Sequence, residues 1–232
     1  MPDRAHDIAP LSIGRRQTFD VAIMKLYDAR PSVSPRRVRM FLAEKGLRIP
    51  TVQVNLQAGE HRSEAFARIN PWLTVPVLEF DDGTRIHEST AICRYFEECY
   101  PEPPLMGMNA RDKAIVTMWD RHMEFDGIMA VMDVFRNSVE RLRDHALTGR
   151  HQAKQLPELA ERGRMRFGWF LEDLDKRLSE SEFVAGQRFT VADITALAAV
   201  DFGTRAKLSR PDRLKHLARW YKAVSSRPSA SA

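Results

Sequence analysis

The chain has 232 residues, of which 44% are hydrophobic and 29% charged, enough apolar material for a packed core in one large domain or two small ones. Its formal net charge is +5, but the Lys and Arg are scattered without a long like-charge run, so the excess reads as a solvated basic surface and not as a nucleic-acid interface. The two cysteines, Cys93 and Cys99, make no zinc-type or redox-type spacing, and no apolar run approaches the ~18 residues of a membrane span, which argues against a disulfide framework, a zinc site and a transmembrane helix.

Residues 1–20, MPDRAHDIAPLSIGRRQTFD, lack the apolar segment of a signal peptide and are expected to form a polar, disordered extension. AIMKLYDA (22–29) predicts a buried strand. In RPSVSPRRVRMF (30–41), Ser34 followed by Pro35 predicts an N-cap and the first helical residue, with Val38, Phe41 and Leu42 on one face and Gly46 as the stop. TVQVNL (51–56) alternates and predicts a second strand. A polar stretch then leads to a short helix around 63–69 that stops at Asn70-Pro71. VPVLEF (75–80) and TRIH (84–87), joined by Asp81-Asp82-Gly83, predict a hairpin. STAICRYFEECY (89–100) is a helix ended by PEPP. The order β-α-β-α-β-β-α combines a parallel crossover with an antiparallel pair, hence a small mixed sheet with helices on it.

PEPPLMGMNA (101–110) has the composition of a linker, and no strong strand signal follows it. Residues 111–147 carry helical periodicity through Ile115, Met118, Trp119, His122, Phe125 and Met129. Residues 157–179 carry another apolar face, and Thr190-x-x-Asp193 is a capping motif ahead of an almost wholly apolar helix. A last helix is predicted over about 211–225, with RPSASA fraying beyond it. The predicted organisation is an extension (1–20), an α/β domain (21–102), a linker (103–110) and an all-helical domain (111–232).

Four stretches carry candidate chemistry. Pro76 opens a strand, and an X-Pro bond at such a bend can be cis, turning the Val75 amide and carbonyl outward where a peptide ligand can pair with them; an ordinary edge-strand proline is the plainer reading. Ser89 begins a helix whose free amides suit a carboxylate, and Glu88 beside it suits an ammonium group; a simple N-cap is the plainer reading. His61, in a polar loop, is a donor for an anionic ligand or merely an exposed histidine. Ser32 lies two residues ahead of the predicted cap, so its hydroxyl is free to face whatever occupies the helix N-terminus, and a hydroxyl donor there would lower the pKa of a thiol. A serine nucleophile is disfavoured, because neither serine lies in a GxSxG turn.

Taken in this order, SVSPRRVRMFLAEKG, GEHRSEAFARINPWLTVPVLE, HESTAI and FTVADI resemble the cytosolic glutathione transferases, from about residue 22 to residue 228. The resemblance implies a thioredoxin-like N-terminal domain, a helical C-terminal domain, a cytoplasmic homodimer, glutathione as co-substrate without a metal, and a small apolar electrophile. It implies Ser32 as the group that holds the glutathione sulfur as thiolate. Val75 would pair with the cysteinyl part, with Pro76 cis; Glu88 and Ser89 would hold the γ-glutamyl end; and His61 would approach the glycyl end. Thr74 stands where relatives often carry Lys, which removes a charge near the glycyl carboxylate. The electrophile would lie over the helix carrying Met118, Trp119, Met123 and Met129, residues that otherwise serve as bundle core. Alternative readings are a glutathione-dependent disulfide reductase or isomerase, and a non-catalytic module that binds a partner protein. Ser34-Pro35-Arg36 stands where the zeta-type isomerases carry Cys-Ser-Trp, which argues against that isomerase.

Overall fold

Strand β1 (Lys25–Asp28) sits inside a four-stranded sheet of order β2-β1-β3-β4. The computed structural model describes residues 24–232, so the predicted extension and the first two residues of the predicted first strand lie outside the described residues. β1 pairs in parallel with β2 (Thr51–Gln53) and antiparallel with β3 (Val77–Glu79), which pairs antiparallel with β4 (Arg85–His87). Alternation along the strands divides the apolar residues between two faces. Leu26 and Leu78 point into the larger core with Val38 and Phe41 of α1 (Val33–Glu44) and with Ile92 and Phe96 of α3 (Ser89–Cys99). Tyr27, Val75 and Val77 form a smaller cluster on the other face, closed by Phe66 of α2 (Glu64–Ala67). β2 is shorter than its alternating sequence predicts and is exposed at all three positions, because it is an edge strand paired on one side only.

The helical half consists of α4 (Ala110–His122), a π-helical turn (Met123–Ile128), α5 (Met129–Ser138), α6 (Pro157–Glu180), α7 (Val191–Arg205) and α8 (Lys215–Ser225). The expected fold class, a mixed α/β sheet unit followed by helices, is the observed one. α7 is buried almost throughout, as a helix apolar on every side must be. Its start is fixed by Asp193, which accepts from the Thr190 amide (3.0 Å), the Val184 amide (2.9 Å) and the Trp220 indole (2.8 Å).

Two expectations change, the buried face of α4 and α5 and the fraying of the tail. The face predicted to bury α4 and α5 is largely on the surface: Met118, Phe125 and Met129 are exposed, while Val116, Asp120, Met123 and Ile128 are buried. The predicted linker joins α3 to α4 but is anchored, since Leu105 and Met106 are buried and Lys45 ties Glu97 (2.6 Å) to the carbonyls of Tyr100 (2.7 Å) and Pro103 (2.6 Å). The C-terminal tail does not fray, for Arg227 makes a paired contact with Glu44 of α1 (2.8 and 2.7 Å) and the Ser229 hydroxyl donates to the same carboxylate. Among the described residues no helix is long and apolar enough to cross a membrane.

Candidate functional site

Strand directions bring the predicted residues to one end of the sheet. β1 and β3 are antiparallel with Tyr27 opposite Val77, so the loop leaving β1 toward Ser32 lies beside the start of β3 at Val75-Pro76. β3 and β4 are antiparallel with Val77 opposite His87, so the same end receives Glu88 and Ser89. β1 and β2 are parallel with Asp28 opposite Gln53, which sends the chain after β2 toward His61 from that end as well.

The cap of α1 is Ser32, not Ser34. The helix begins two residues earlier than predicted because Val33 is buried as its first residue, and Pro35 still falls within the first turn, where its missing N–H costs no helical bond. Ser32 has the extended backbone of a cap (φ −87°, ψ 139°), yet its side chain makes no capping hydrogen bond. Its carbonyl accepts from Arg36 (3.3 Å) and its amide donates to Ala29 (2.8 Å), so the main chain holds the residue and the hydroxyl is left over.

The Val75-Pro76 bond is cis. Among the described residues neither the amide nor the carbonyl of Val75 enters the surrounding loop hydrogen bonds, which run instead from Asn70 to the Thr74 carbonyl (2.9 Å) and hydroxyl (3.0 Å). Glu88 is exposed and caps α3 at φ +78°, a conformation that is uncommon for a residue with a side chain and points to a local demand on its direction.

Ser89 is buried and is not a simple cap. Arg37, itself 2% exposed, donates to the Ser89 hydroxyl oxygen (3.2 Å) and to Thr90 (3.4 Å). The same guanidinium lies 3.3 Å from Glu124 and 3.6 Å from Asp120. Because Arg37 occupies an acceptor position on Ser89, the Ser89 O–H remains a donor. Burial pushes the Asp120 carboxyl above the usual range although Arg37 pulls it down, and Thr195 donates to it. This network joins α1, the start of α3, α4 and α7, and sequence reasoning missed it. A signal was present, since Arg37 sits four residues before Phe41, on the face predicted to be core.

His61 is half-buried in a single 3₁₀ turn (Glu60–Arg62), and its Nδ1 is buried without a partner. Burial, with Arg62, Arg136 and His145, holds its pKa below the ordinary histidine value. The last two belong to the helical half, so the segment joining α5 to α6 reaches over to the sheet. Arg136 ties that segment down by donating to the carbonyls of His145 (2.6 Å), Ala146 (2.9 Å) and Leu147. Residues 148–151 face Trp72, Thr74, His87 and Glu88 across a cavity of about 550 Å³. Nothing local in the sequence marks this approach, which links positions 72 and 150.

Of the residues expected under the electrophile, Trp119 and the buried Met123 both border a separate cavity of about 210 Å³ between α6 and the α4–π-turn segment.

A family profile described as "Glutathione S-transferase, N-terminal domain" matches residues 31–99, and one described as "Glutathione S-transferase, C-terminal domain" matches residues 141–228. The chain is 34% identical over 208 residues to glutathione S-transferase 2 of Saccharomyces cerevisiae, covering 89% of this chain and 87% of the relative. It is 41% identical over 101 residues to maleylacetoacetate isomerase of Pseudomonas aeruginosa, covering 41% of this chain and 48% of the relative. The crystal structure of a glutathione S-transferase domain-containing protein from Marinobacter aquaeolei VT8 superposes with a TM-score of 0.82 at 37% identity, covering 88% of this chain and 98% of that one.

Proposed function

The chain belongs to the glutathione S-transferase family, and we propose that it binds glutathione along the end of the sheet where Ser32, Val75 and Glu88 converge and joins it through its sulfur to a small apolar electrophile. The observation that carries this reading is the Ser32 hydroxyl, held at a helix N-terminus and relieved of capping. A donor at that point favours the ionised sulfur, and the helix dipole acts in the same direction. The thiolate is the nucleophile. Its sulfur bonds to the electrophilic carbon while the leaving group departs with its electron pair, and the thiol proton goes to solvent. The Val75 main chain pairs with the cysteinyl backbone. The Glu88 carboxylate takes the γ-glutamyl ammonium, and the Ser89 hydroxyl with the first amides of α3 takes the neighbouring carboxylate. His61 approaches the glycyl end.

Disulfide reduction and isomerisation share the binding step. The loop 29–34 has no cysteine, so a reductase would draw its thiols from glutathione. The likeness to the isomerase favours that activity only over the part of the chain it covers. We further propose a cytoplasmic homodimer, the dimer supported by the exposed apolar residues Met118 on α4, Phe125 on the π-helical turn, Met129 on α5 and Met165 and Trp169 on α6. The test is retention on immobilised glutathione, followed by turnover with a chlorodinitrobenzene electrophile and with a mixed disulfide. Retention with conjugation is expected; retention without turnover supports a binding module, and turnover of the disulfide alone supports a reductase.

A further inference from the structure

Residues 139–156 form a folded strap and not an open loop. The Ala146 amide donates to Ala153 (2.9 Å), the Gln155 amide donates to Arg143 (3.0 Å), and the Gln155 side chain donates back to Arg136 and Val139 (2.9 Å each). With Arg136 donating to three successive carbonyls, the tip at 148–151 is anchored from within the helical half. Gly149 shows how closely it meets the sheet half. At φ +90° a Cβ on this residue would stand 2.9 Å from the Trp72 carbonyl oxygen and 3.7 Å from the Thr74 methyl. The next residue, Arg150, lays its guanidinium 4.5 Å from the centre of the Trp72 ring. Stacking on an aromatic face holds the cation and leaves its in-plane donors available.

The cavity between strap and sheet has the size of a small-molecule site. Ser32 does not line it, so it is not where the thiol and the electrophile meet. On its sheet side Thr74 brings no charge, and Glu88 is the only carboxylate among its lining residues. Nδ1 of His87 is buried without a partner, as is Nδ1 of His61 nearby. Arg150 pairs with no carboxylate among the described residues; its Nε contacts His151 at 3.3 Å. If the γ-glutamyl head is served by Glu88 and Ser89, the other end of glutathione carries a carboxylate for which the sheet side of this cavity offers no cation, since Arg62 beside His61 does not line it. One unpaired anion and one unpaired guanidinium then share the cavity.

We propose that Arg150, presented by the strap, binds the glycyl carboxylate of glutathione, so that the co-substrate site is completed by the helical half of the chain. This rests on the glutathione reading above. It makes the strap a determinant of which thiol is accepted, with a free carboxylate after the cysteinyl residue as the feature recognised. A guanidinium–carboxylate contact is a strong, often bidentate, hydrogen-bonded pair.

The experiment measures KM for glutathione and for its glycyl monoethyl ester, with a chlorodinitrobenzene electrophile, in the wild-type protein and in Arg150→Ala and Arg150→Lys. Arg150 is exposed, so neither substitution threatens folding. Arg150→Ala is expected to raise KM for glutathione by roughly 10-fold or more, the scale of a lost hydrogen bond to a charged group. KM for the ester is expected to be nearly the same in wild type and Arg150→Ala, and Arg150→Lys is expected to recover part of the loss. An unchanged KM for glutathione in Arg150→Ala, or equal losses for acid and ester, would overturn the assignment of Arg150 while leaving the transferase reading standing. Failure of the wild-type protein to bind glutathione at all would overturn both.

Discussion

At Ser32 two jobs that a helix-start serine can do are separated. The main chain caps α1, and the side chain makes no capping bond. Ser32→Ala is therefore expected to cost less than about 1 kcal/mol of stability, below the usual loss for a working cap. Conjugation should fall roughly 10- to 100-fold in kcat/KM, the rate equivalent of one hydrogen bond to a developing anion. Steady-state kinetics beside thermal melts would check both halves, and a large loss of stability with intact turnover would reverse the assignment. His61 makes a pH prediction with a definite sign. Its pKa is lowered in the folded protein by burial and by Arg62, Arg136 and His145, so below about 6.5 the unfolded chain takes up the proton first. The stability tied to the neutral ring is present above that pH and is lost as the pH falls through the depressed folded value. Melting temperature should consequently drop between neutral pH and mild acid, and His61→Gln should flatten that slope.

Among the elements, legibility followed the range of the interaction. β1, β3, β4, α1 and α3 could be read from period, turn residues and stops, because the forces that place them act within a few residues. The α1 cap was misplaced by two residues because Ser34-Pro35 imitates a cap and first turn, while burial of Val33 decides the true start. The apolar face of α4 and α5 was misread for a different reason. The π-helical turn Met123–Ile128 shifts the helical register in mid-course, and the exposed stripe is itself apolar, so periodicity alone could not say which face meets the core. The place of Arg37 on the core face is readable in the sequence, but its partners are not, because they lie on α3, α4 and the π-helical turn. Removing it should be costly: Arg37→Ala leaves Asp120 buried and uncompensated, for an expected loss of about 3–5 kcal/mol in chemical denaturation. A loss no larger than that of a surface arginine would mean that the network is not holding the helices to the sheet unit.

On the scale of the whole molecule, the two halves share one core and line one cavity. A single hydrophobic cluster runs from Leu26 and Phe41 to Leu197 and Trp220, and the strap between α5 and α6 lies against Trp72 and Thr74. That leaves the apolar residues on α4, α5 and α6 facing outward, where a second copy of the chain can cover them. Light scattering is expected to give the mass of a dimer, and Phe125→Glu should shift it toward a monomer; a wild-type monomer would contradict the proposed homodimer. All of these expectations depend on what the end of the sheet does to a bound thiol, and that can be measured without choosing a physiological electrophile. The ultraviolet absorbance of the thiolate, titrated for glutathione bound to the wild-type protein and to Ser32→Ala, reports it directly. The account predicts a thiol pKa at least about one unit below the roughly 8.5 of a free thiol in the wild-type complex, and a return toward that value in Ser32→Ala. Identical titrations in the two proteins would contradict it.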